Sequence, residues 1–272
     1  MADGSSSIHH ARPFIKWVGG KRQLLPSLVA HSPSTFGRYH EPFLGGGALF
    51  FHLRPTRAVL SDTNARLIRT WTGIRDQVED VIALLREYPY EREFFQAMRA
   101  TAIDGCTDAE VAAWFIYLNR TGFNGLYRVN RHNVFNVPFG AYTRPLICDP
   151  ENLRAVSLRL AETELHVEDF ARVLDRAEPG DFVYFDPPYV PLTATSSFTS
   201  YTADGFSMAE QARLRDTAHQ LKLRGVHVLL SNSSAPAVHE LYAGFERTPV
   251  AATRAINCDA SRRGAVMELL LA

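Results

Sequence analysis

The sequence has few cysteines, few lysines and no long apolar run, and each scarcity excludes a class of protein. Its three cysteines, Cys106, Cys148 and Cys258, are odd in number and far apart, which suits neither a disulfide framework nor a zinc ribbon. No stretch approaches the roughly 20 apolar residues of a membrane span, and the first residues lack the apolar core of a signal peptide. We therefore predict a cytoplasmic protein without a metal site, its cysteines small apolar residues in a reducing compartment.

The formal net charge is zero, because 29 lysines and arginines balance 29 aspartates and glutamates. The distribution of charge is uneven, because residues 111–148 contain no acid but include Arg120, Arg128, Arg131 and Arg144. This acid-free segment is a candidate anion-binding surface. Only Lys16, Lys21 and Lys222 are lysines, and the first two flank "KWVGGK", where a compact ammonium is favoured over a guanidinium fork.

Apolar runs that end in turn residues alternate with helical patterns along most of the chain. The runs that predict strands lie at 39–47, 57–62, 164–170, 181–188, 225–233, 245–253 and 265–271. This alternation predicts an α/β fold with a mostly parallel sheet. Residues 64–144 read instead as helices followed by a polar loop, so we expect a helical insertion there. Residues 1–12 are predicted to be a disordered lead, and 13–63 with 145–272 to form the α/β domain.

The first strand runs into a glycine loop, "EPFLGGGALFF", and the second ends in Asp62. Glycines at a strand-to-helix turn let a ligand approach the backbone closely, although about half of such runs are structural turns. An acid at the end of the next strand can bind ribose hydroxyls. Together they predict a nucleoside-containing cofactor, either NAD or S-adenosylmethionine.

The strand at 181–185 ends in Asp186-Pro187-Pro188-Tyr189, at the edge where open α/β sheets bind ligands. Two prolines fix an extended turn, so the Asp186 carboxylate and the Pro187 carbonyl can converge as acceptors. Such a pair matches an NH₂ group, and Tyr189 offers a face for a planar heterocycle. The turn therefore predicts binding of an exocyclic amine on an aromatic base, whereas its bland interpretation is a solvated turn.

Eight motifs occur in the order seen in one enzyme family. They are "FIKWVGGK", "EPFLGGG", "LSDTN", "LNRTGFNGLYRVN", "FNVPFG", "DFVYFDPPY", "FTSY" and "LLSN". With them the chain resembles, over nearly its whole length after residue 12, the DNA adenine-N6 methyltransferases of the Dam/DpnM type, the D12 class. One motif alone is moderately specific, but eight in register are strongly so.

The resemblance implies a Rossmann-like methyltransferase domain with a seven-stranded sheet and a helical DNA-recognition insertion. It also implies that S-adenosylmethionine is the cofactor and that Asp186, Pro187 and Tyr189 form the catalytic centre. The residues it places at the cofactor are Lys16, Trp17, Lys21, Pro42, Phe43, Gly45, Gly47, Asp62, Asp169, Phe170 and Asp186. For Phe170, a place in the core is the open alternative.

The substrate that the resemblance implies is double-stranded DNA, with the target adenine flipped out of the stack at a cost of a few kcal/mol. It assigns DNA contacts to Arg120, Phe123, Asn124, Leu126, Arg128, Arg131, Pro138 and Tyr142. Arg128 can bond guanine O6 and N7, and Arg120 and Arg131 suit phosphate. For Phe123 and Leu126 the alternative is a buried loop anchor. We expect a monomer with no obligate protein partner.

Two departures and one segment affect the expected specificity. Relatives that methylate GATC commonly read "FNVPFGRY", whereas this chain has Ala141 in place of the arginine. GATC is still the expected target, with an adenine after a guanine as the broader prediction. Asp259-Ala260 departs from the usual Gly-containing turn, and the Ser/Thr-rich stretch 193–205 is either a lid or a surface loop.

For each main alternative function, particular residues of the sequence argue against it. A dinucleotide-dependent oxidoreductase shares the glycine loop and Asp62 but has no use for Asp-Pro-Pro-Tyr. A cytosine-C5 methyltransferase needs a nucleophilic cysteine near the fourth strand, and none is there. A non-catalytic DNA-binding module is opposed by the intact Asp186 and Tyr189, and RNA or protein substrates stay minor alternatives.

Overall fold

A computed structural model of the chain describes residues 10–192, 206–253 and 265–272. The chain divides into two compact units. Unit 1 comprises Met1–Val18 and Asn64–Thr163, and unit 2 comprises Gly19–Thr63 and Glu164–Ala272. None of the described helices is both long enough and apolar enough to cross a membrane.

The described residues form seven strands and nine α-helices. The strands are β1 Tyr39–Glu41, β2 Ala58–Asp62, β3 Thr163–Val167, β4 Phe182–Phe185, β5 His227–Ser233, β6 Arg247–Thr253 and β7 Ala265–Leu271. The helices are α1 Leu25–His31, α2 Ala48–Leu53, α3 Ala65–Asp76, α4 Val78–Glu87, α5 Arg92–Ala100, α6 Asp108–Thr121, α7 Pro150–Leu160, α8 Met208–Leu223 and α9 Pro236–Leu241.

The seven strands form one sheet in the order β3-β2-β1-β4-β5-β7-β6. The pairs β1–β2, β1–β4 and β4–β5 are parallel, whereas β7 runs antiparallel to both β5 and β6. The predicted α/β class with a mostly parallel seven-stranded sheet is confirmed. Since β1, β2 and β4 are parallel neighbours, their carboxyl ends meet at one edge of the sheet.

One side of the sheet is packed by α8, α9 and the 3₁₀ turn Phe170–Asp175. All four residues of β4 are buried, as a strand covered on both faces requires. α8 contributes Leu214, Ala218 and Leu221 to the apolar cluster that also contains Phe185 and Leu230. This core fixes the strand end that carries the Asp-Pro-Pro-Tyr turn.

Unit 1 is built around α6, which is buried on nearly all sides and starts with a Thr107/Glu110 capping box. Helices α3, α4 and α5 pack against α6, and α7 packs against α3 and α4. Because of that packing, the contact boundary of unit 1 falls at Thr163, whereas the sequence analysis drew it near residue 144. The predicted roles of the two parts, a methyltransferase domain and a DNA-recognition insertion, stay predictions.

Candidate active site

Asp186 directly follows β4, and its carboxylate is held by two donors. Lys21 Nζ lies 2.7 Å from Asp186 Oδ1, and Ser231 Oγ on β5 donates to the same oxygen at 3.0 Å. Burial raises the pKa of Asp186, and the Lys21 ammonium and the Ser231 hydroxyl oppose that rise. The sheet edge therefore presents a fixed carboxyl group, and the Lys21 ammonium favours its ionised form.

Lys21 lies beside the predicted catalytic turn, although the sequence analysis assigned it only to the cofactor. Its side chain is 7% exposed, and Nζ also donates to the Gly19 carbonyl at 2.7 Å. The same Nζ lies 4.7 Å from the centre of the Tyr189 ring, within the range of a cation–π contact. One buried ammonium thus contacts both Asp186 and Tyr189.

The Tyr189 hydroxyl donates to Glu268 Oε2 at 2.8 Å. Burial raises the pKa of Tyr189 well above its ordinary value, so the phenol stays protonated and keeps donating. Glu268 lies on β7 and is itself buried. Glu268 was not predicted as a site residue, although a single acid inside the apolar run "AVMELLL" is a signal in the sequence that could have identified it.

The glycine loop lies at the same sheet edge, after β1, and Pro42 and Phe43 lead into it. Gly45 and Gly47 have φ values of 47° and 61°, in the left-handed region that favours glycine. The Gly45 N–H donates to Asp62 Oδ2 at 3.3 Å, which joins the loop to the end of β2. The Asp62 carboxylate can accept hydrogen bonds from ribose hydroxyls, and loop glycines let a ligand approach the backbone closely, so these residues fit a nucleoside cofactor.

Asp169 and Phe170 are both engaged by Arg213 of α8. The Arg213 guanidinium bonds both Asp169 carboxylate oxygens, at 2.7 and 2.6 Å, and its carbon lies 4.2 Å from the Phe170 ring centre. The Arg213 bond lowers the pKa of Asp169. Phe170 is only 3% exposed and stacks on Phe43 at 5.4 Å, which is the core position named as its alternative.

Glu41, the last residue of β1, is a second buried carboxyl that the sequence analysis did not single out. It is 3% exposed and accepts a bond from the Tyr39 hydroxyl at 2.9 Å. Burial raises the pKa of Glu41 from 4.5 to about 8. Glu41 is therefore mostly protonated near neutral pH.

Lys16 and Trp17 lie in unit 1, where Asn119 of α6 holds their segment. Asn119 Oδ1 accepts from the Lys16 N–H at 2.8 Å, and Asn119 Nδ2 donates to the carbonyls of Lys16 and Gly125. A side chain at Gly125, φ 65°, would collide with Lys16. Trp17 stacks on Tyr127 at 6.1 Å. Within unit 1, both residues therefore contact the acid-free segment.

The loop after α6 exposes most of the predicted DNA-contact residues. Phe123 is 49% exposed, so the alternative of a buried anchor does not describe it. Arg128 is exposed and donates from Nε to Asn136 Oδ1 at 2.6 Å, across a short hairpin closed by the Val129–Phe135 bridge. The residues of this set that are also exposed are Asn124, Arg131 and Pro138.

Three of the predicted DNA contacts are partly buried. Tyr142 donates its hydroxyl to the Gly122 carbonyl at 3.0 Å, and its ring lies under Lys16 Nζ at 5.1 Å. Leu126 is half-buried. Arg120 is half-buried and donates to the Phe14 carbonyl at 2.7 Å, and burial lowers the pKa of its guanidinium. Their contacts with DNA stay predictions.

Two features of the sequence analysis lie outside the described residues. They are the Ser/Thr-rich stretch 193–205, which includes the "FTSY" motif, and the turn with Asp259-Ala260, which falls within 254–264.

Known proteins similar to this chain are DNA methyltransferases. The model of the family described as D12 class N6 adenine-specific DNA methyltransferase matches residues 17–256. The Type II methyltransferase M1.LlaDCHI of Lactococcus lactis subsp. cremoris is 45% identical, over 96% of this chain and 94% of its own length. The Type II methyltransferase M.MjaIII of Methanocaldococcus jannaschii is 37% identical, over 96% and 98%. A DNA adenine methylase of Salmonella typhi is 34% identical, over 95% and 94%.

Proposed function

Because the chain belongs to the D12 class of N6 adenine-specific DNA methyltransferases, we propose that it methylates N6 of an adenine flipped out of duplex DNA, with S-adenosylmethionine as methyl donor. The observation that carries this proposal is the acceptor site at the end of β4, where Asp186 and Tyr189 lie around Lys21. An exocyclic amine needs acceptors for its hydrogens and a flat surface for its ring, and this turn offers both.

In the proposed reaction, Asp186 and the Pro187 carbonyl accept the two amine hydrogens. Both bonds to Asp186 from Lys21 and Ser231 end on Oδ1, so Oδ2 is the oxygen that we assign to the amine. Accepting these hydrogens draws electron density onto N6 and directs its lone pair. The reaction depends on this positioning more than on a strong base.

We assign Tyr189 to orienting the base, since its hydroxyl is tied to Glu268, and we assign stacking to the ring face opposite Lys21. S-adenosylmethionine, when bound, supplies the methyl group on an electrophilic sulfonium. We assign Asp62 to the ribose, Asp169 and Phe170 to the region of the cofactor adenine, and six further residues to cofactor binding. These are Lys16, Trp17, Pro42, Phe43, Gly45 and Gly47.

We assign sequence reading to the exposed loop of unit 1, with GATC as the proposed target and an adenine after a guanine as the broader proposal. Arg128 suits guanine, and Arg120 and Arg131 suit phosphate. Phe123 is exposed enough to fill the space that a flipped base leaves. Ala141 removes one arginine that GATC readers commonly carry, and exposed Arg144 is the nearest candidate to replace it. We propose that the protein acts as a monomer.

The test is to incubate the purified protein with unmethylated plasmid and S-adenosylmethionine and to map N6-methyladenine by single-molecule sequencing. We expect methylation confined to GATC, and none with Asp186→Ala, although that variant still binds DNA and cofactor. A different consensus would reject GATC alone. No methyladenine from the wild-type protein, with both ligands bound, would reject methyl transfer and favour a non-catalytic module.

A further inference from the structure

The two peptide units on either side of Tyr189 are each bonded by a buried amide side chain. Gln211 Nε2 donates to the Pro188 carbonyl at 2.9 Å, and the Val190 N–H donates to Asn232 Oδ1 at 3.2 Å. The orientation of the first peptide unit sets φ of Tyr189, and that of the second sets ψ. The two amides therefore fix the backbone from which the Tyr189 ring projects.

The two amides also bond each other, so neither can turn alone. Asn232 Nδ2 donates to Gln211 Oε1 at 3.0 Å, which joins α8 to β5 behind the turn. Ser233 Oγ adds a bond to the Val190 carbonyl at 2.6 Å. With the Tyr189 hydroxyl tied to Glu268, the residue is held at its backbone and at the far end of its ring.

The cost of burying these amides indicates that their bonds matter. Gln211 and Asn232 are both 0% exposed, and Gln211 lies one helical turn before Leu214 on the face of α8 that enters the apolar core. A buried amide without partners destabilises the fold, and an apolar side chain would avoid that cost. An apolar residue would pack here but could not hold the Pro188 carbonyl.

We propose that Gln211 and Asn232 are positioning residues for methyl transfer, acting together to set the geometry of Tyr189. This inference rests on the proposed function. Methyl transfer needs the amine aligned with the methyl carbon, and a displacement near 1 Å can slow such a step about 100-fold. The pair therefore controls the rate of the chemical step and not the binding of either ligand.

The test measures single-turnover methylation by Gln211→Met with saturating DNA and S-adenosylmethionine. Met keeps the length of the side chain but loses both amide bonds. We expect the rate to fall about 10- to 100-fold, while the Kd for DNA and for cofactor each stay within about threefold. Gln211→Glu keeps an acceptor toward Asn232 but loses the donor to Pro188. Its single-turnover rate should fall to a similar degree.

The matched control is Thr217→Val, on the same helix. Thr217 is also a buried polar residue, and its hydroxyl bonds the Arg213 carbonyl and not the catalytic turn. The Thr217→Val variant should lose about as much stability as Gln211→Met but should keep the wild-type single-turnover rate. If Gln211→Met slows methylation no more than Thr217→Val does, the positioning role is wrong.

A double-mutant cycle separates positioning from general destabilisation. In a Tyr189→Ala background, Gln211→Met should slow methylation less than about threefold, because the ring that it positions is gone. Full additivity of the two rate effects, or failure of both Gln211 variants to fold, would overturn the proposal. Absence of methylation by the wild-type protein would instead overturn the proposed function, so the two failures are distinguishable.

Discussion

At the scale of single residues, we expect Lys21 to keep Asp186 in the carboxylate form that the proposed reaction needs. Burial favours the neutral carboxyl, and the ammonium 2.7 Å away favours the carboxylate. With Lys21→Met, the pKa of Asp186 should rise further, because the ammonium that favours the carboxylate is gone. Since the carboxylate is the accepting form, the acid limb of the kcat profile should move to higher pH. A pH titration of steady-state methylation from about pH 5.5 to 9 measures this.

Lys222→Met is the control for that titration. Lys222 is the other lysine of unit 2, and its Nζ lies 4.9 Å from the centre of the Phe245 ring. The acid limb should stay at its wild-type pH in this variant. An unmoved limb in Lys21→Met, with kcat reduced evenly at all pH values, would show that Lys21 acts in another way, such as by holding Tyr189.

At the scale of elements, the hairpin that carries Arg128 depends on one turn residue. Asn133 adopts φ 57°, and its carbonyl accepts a bond from Arg66 Nη1 at 2.6 Å, while Arg66 is paired with Asp104. A β-branched residue at positive φ costs about 1 to 2 kcal/mol. Asn133→Val should therefore disorder the hairpin and reduce the preference for the cognate site over single-base variants. Competition methylation of the two DNAs measures that preference.

Asn133→Gly is the matched variant, because glycine adopts positive φ without strain. It should keep the wild-type preference. If Asn133→Val keeps it too, with binding weakened equally for both DNAs, the hairpin contacts phosphate and does not read bases.

The elements were easier to predict than their contacts. Six of the seven strands fall inside predicted apolar runs and β3 begins one residue before its run, because such runs between turn residues are a local signal. Asp186 and Tyr189 stand in one continuous motif, so predicting their roles needed no knowledge of the fold. Glu268 could not be paired with Tyr189, because 79 residues separate them and only the place of β7 in the sheet joins them.

Contacts between distant parts of the chain were also missed at the Gln211–Asn232 pair and for the two lysines of the first motif. Nothing local in "MAEQARL" indicates that Gln211 meets Asn232, since α8 and β5 come together only through packing against the core. Likewise Lys16 and Lys21 stand in one motif, yet the chain passes from unit 1 to unit 2 between them. A motif gives the residue types of a site but not which of them share a contact.

At the scale of the whole molecule, Glu41 makes stability depend on pH. Its pKa is about 8 in the folded chain against 4.5 ordinarily, so between these values the folded state holds a proton that the unfolded state has lost. With more protons bound in the folded state, the free energy of unfolding falls as pH rises, by up to about 1.4 kcal/mol per pH unit for one proton. This contribution is fully present below about pH 4.5 and is lost as pH passes 8.

Glu41→Gln keeps the shape and cannot ionise, so it should remove that dependence. Urea unfolding of both proteins at pH 5, 6, 7 and 8 gives the difference in unfolding free energy at each pH. Other groups titrate alike in both proteins, so the difference should grow in favour of Glu41→Gln as pH rises. A difference that stays constant from pH 5 to 8 would mean that Glu41 is ionised throughout, stabilised by Lys21 against its burial. In that case the sheet edge would hold two carboxylates on one ammonium, and Lys21→Met should destabilise the whole molecule far more than it alters the kcat profile.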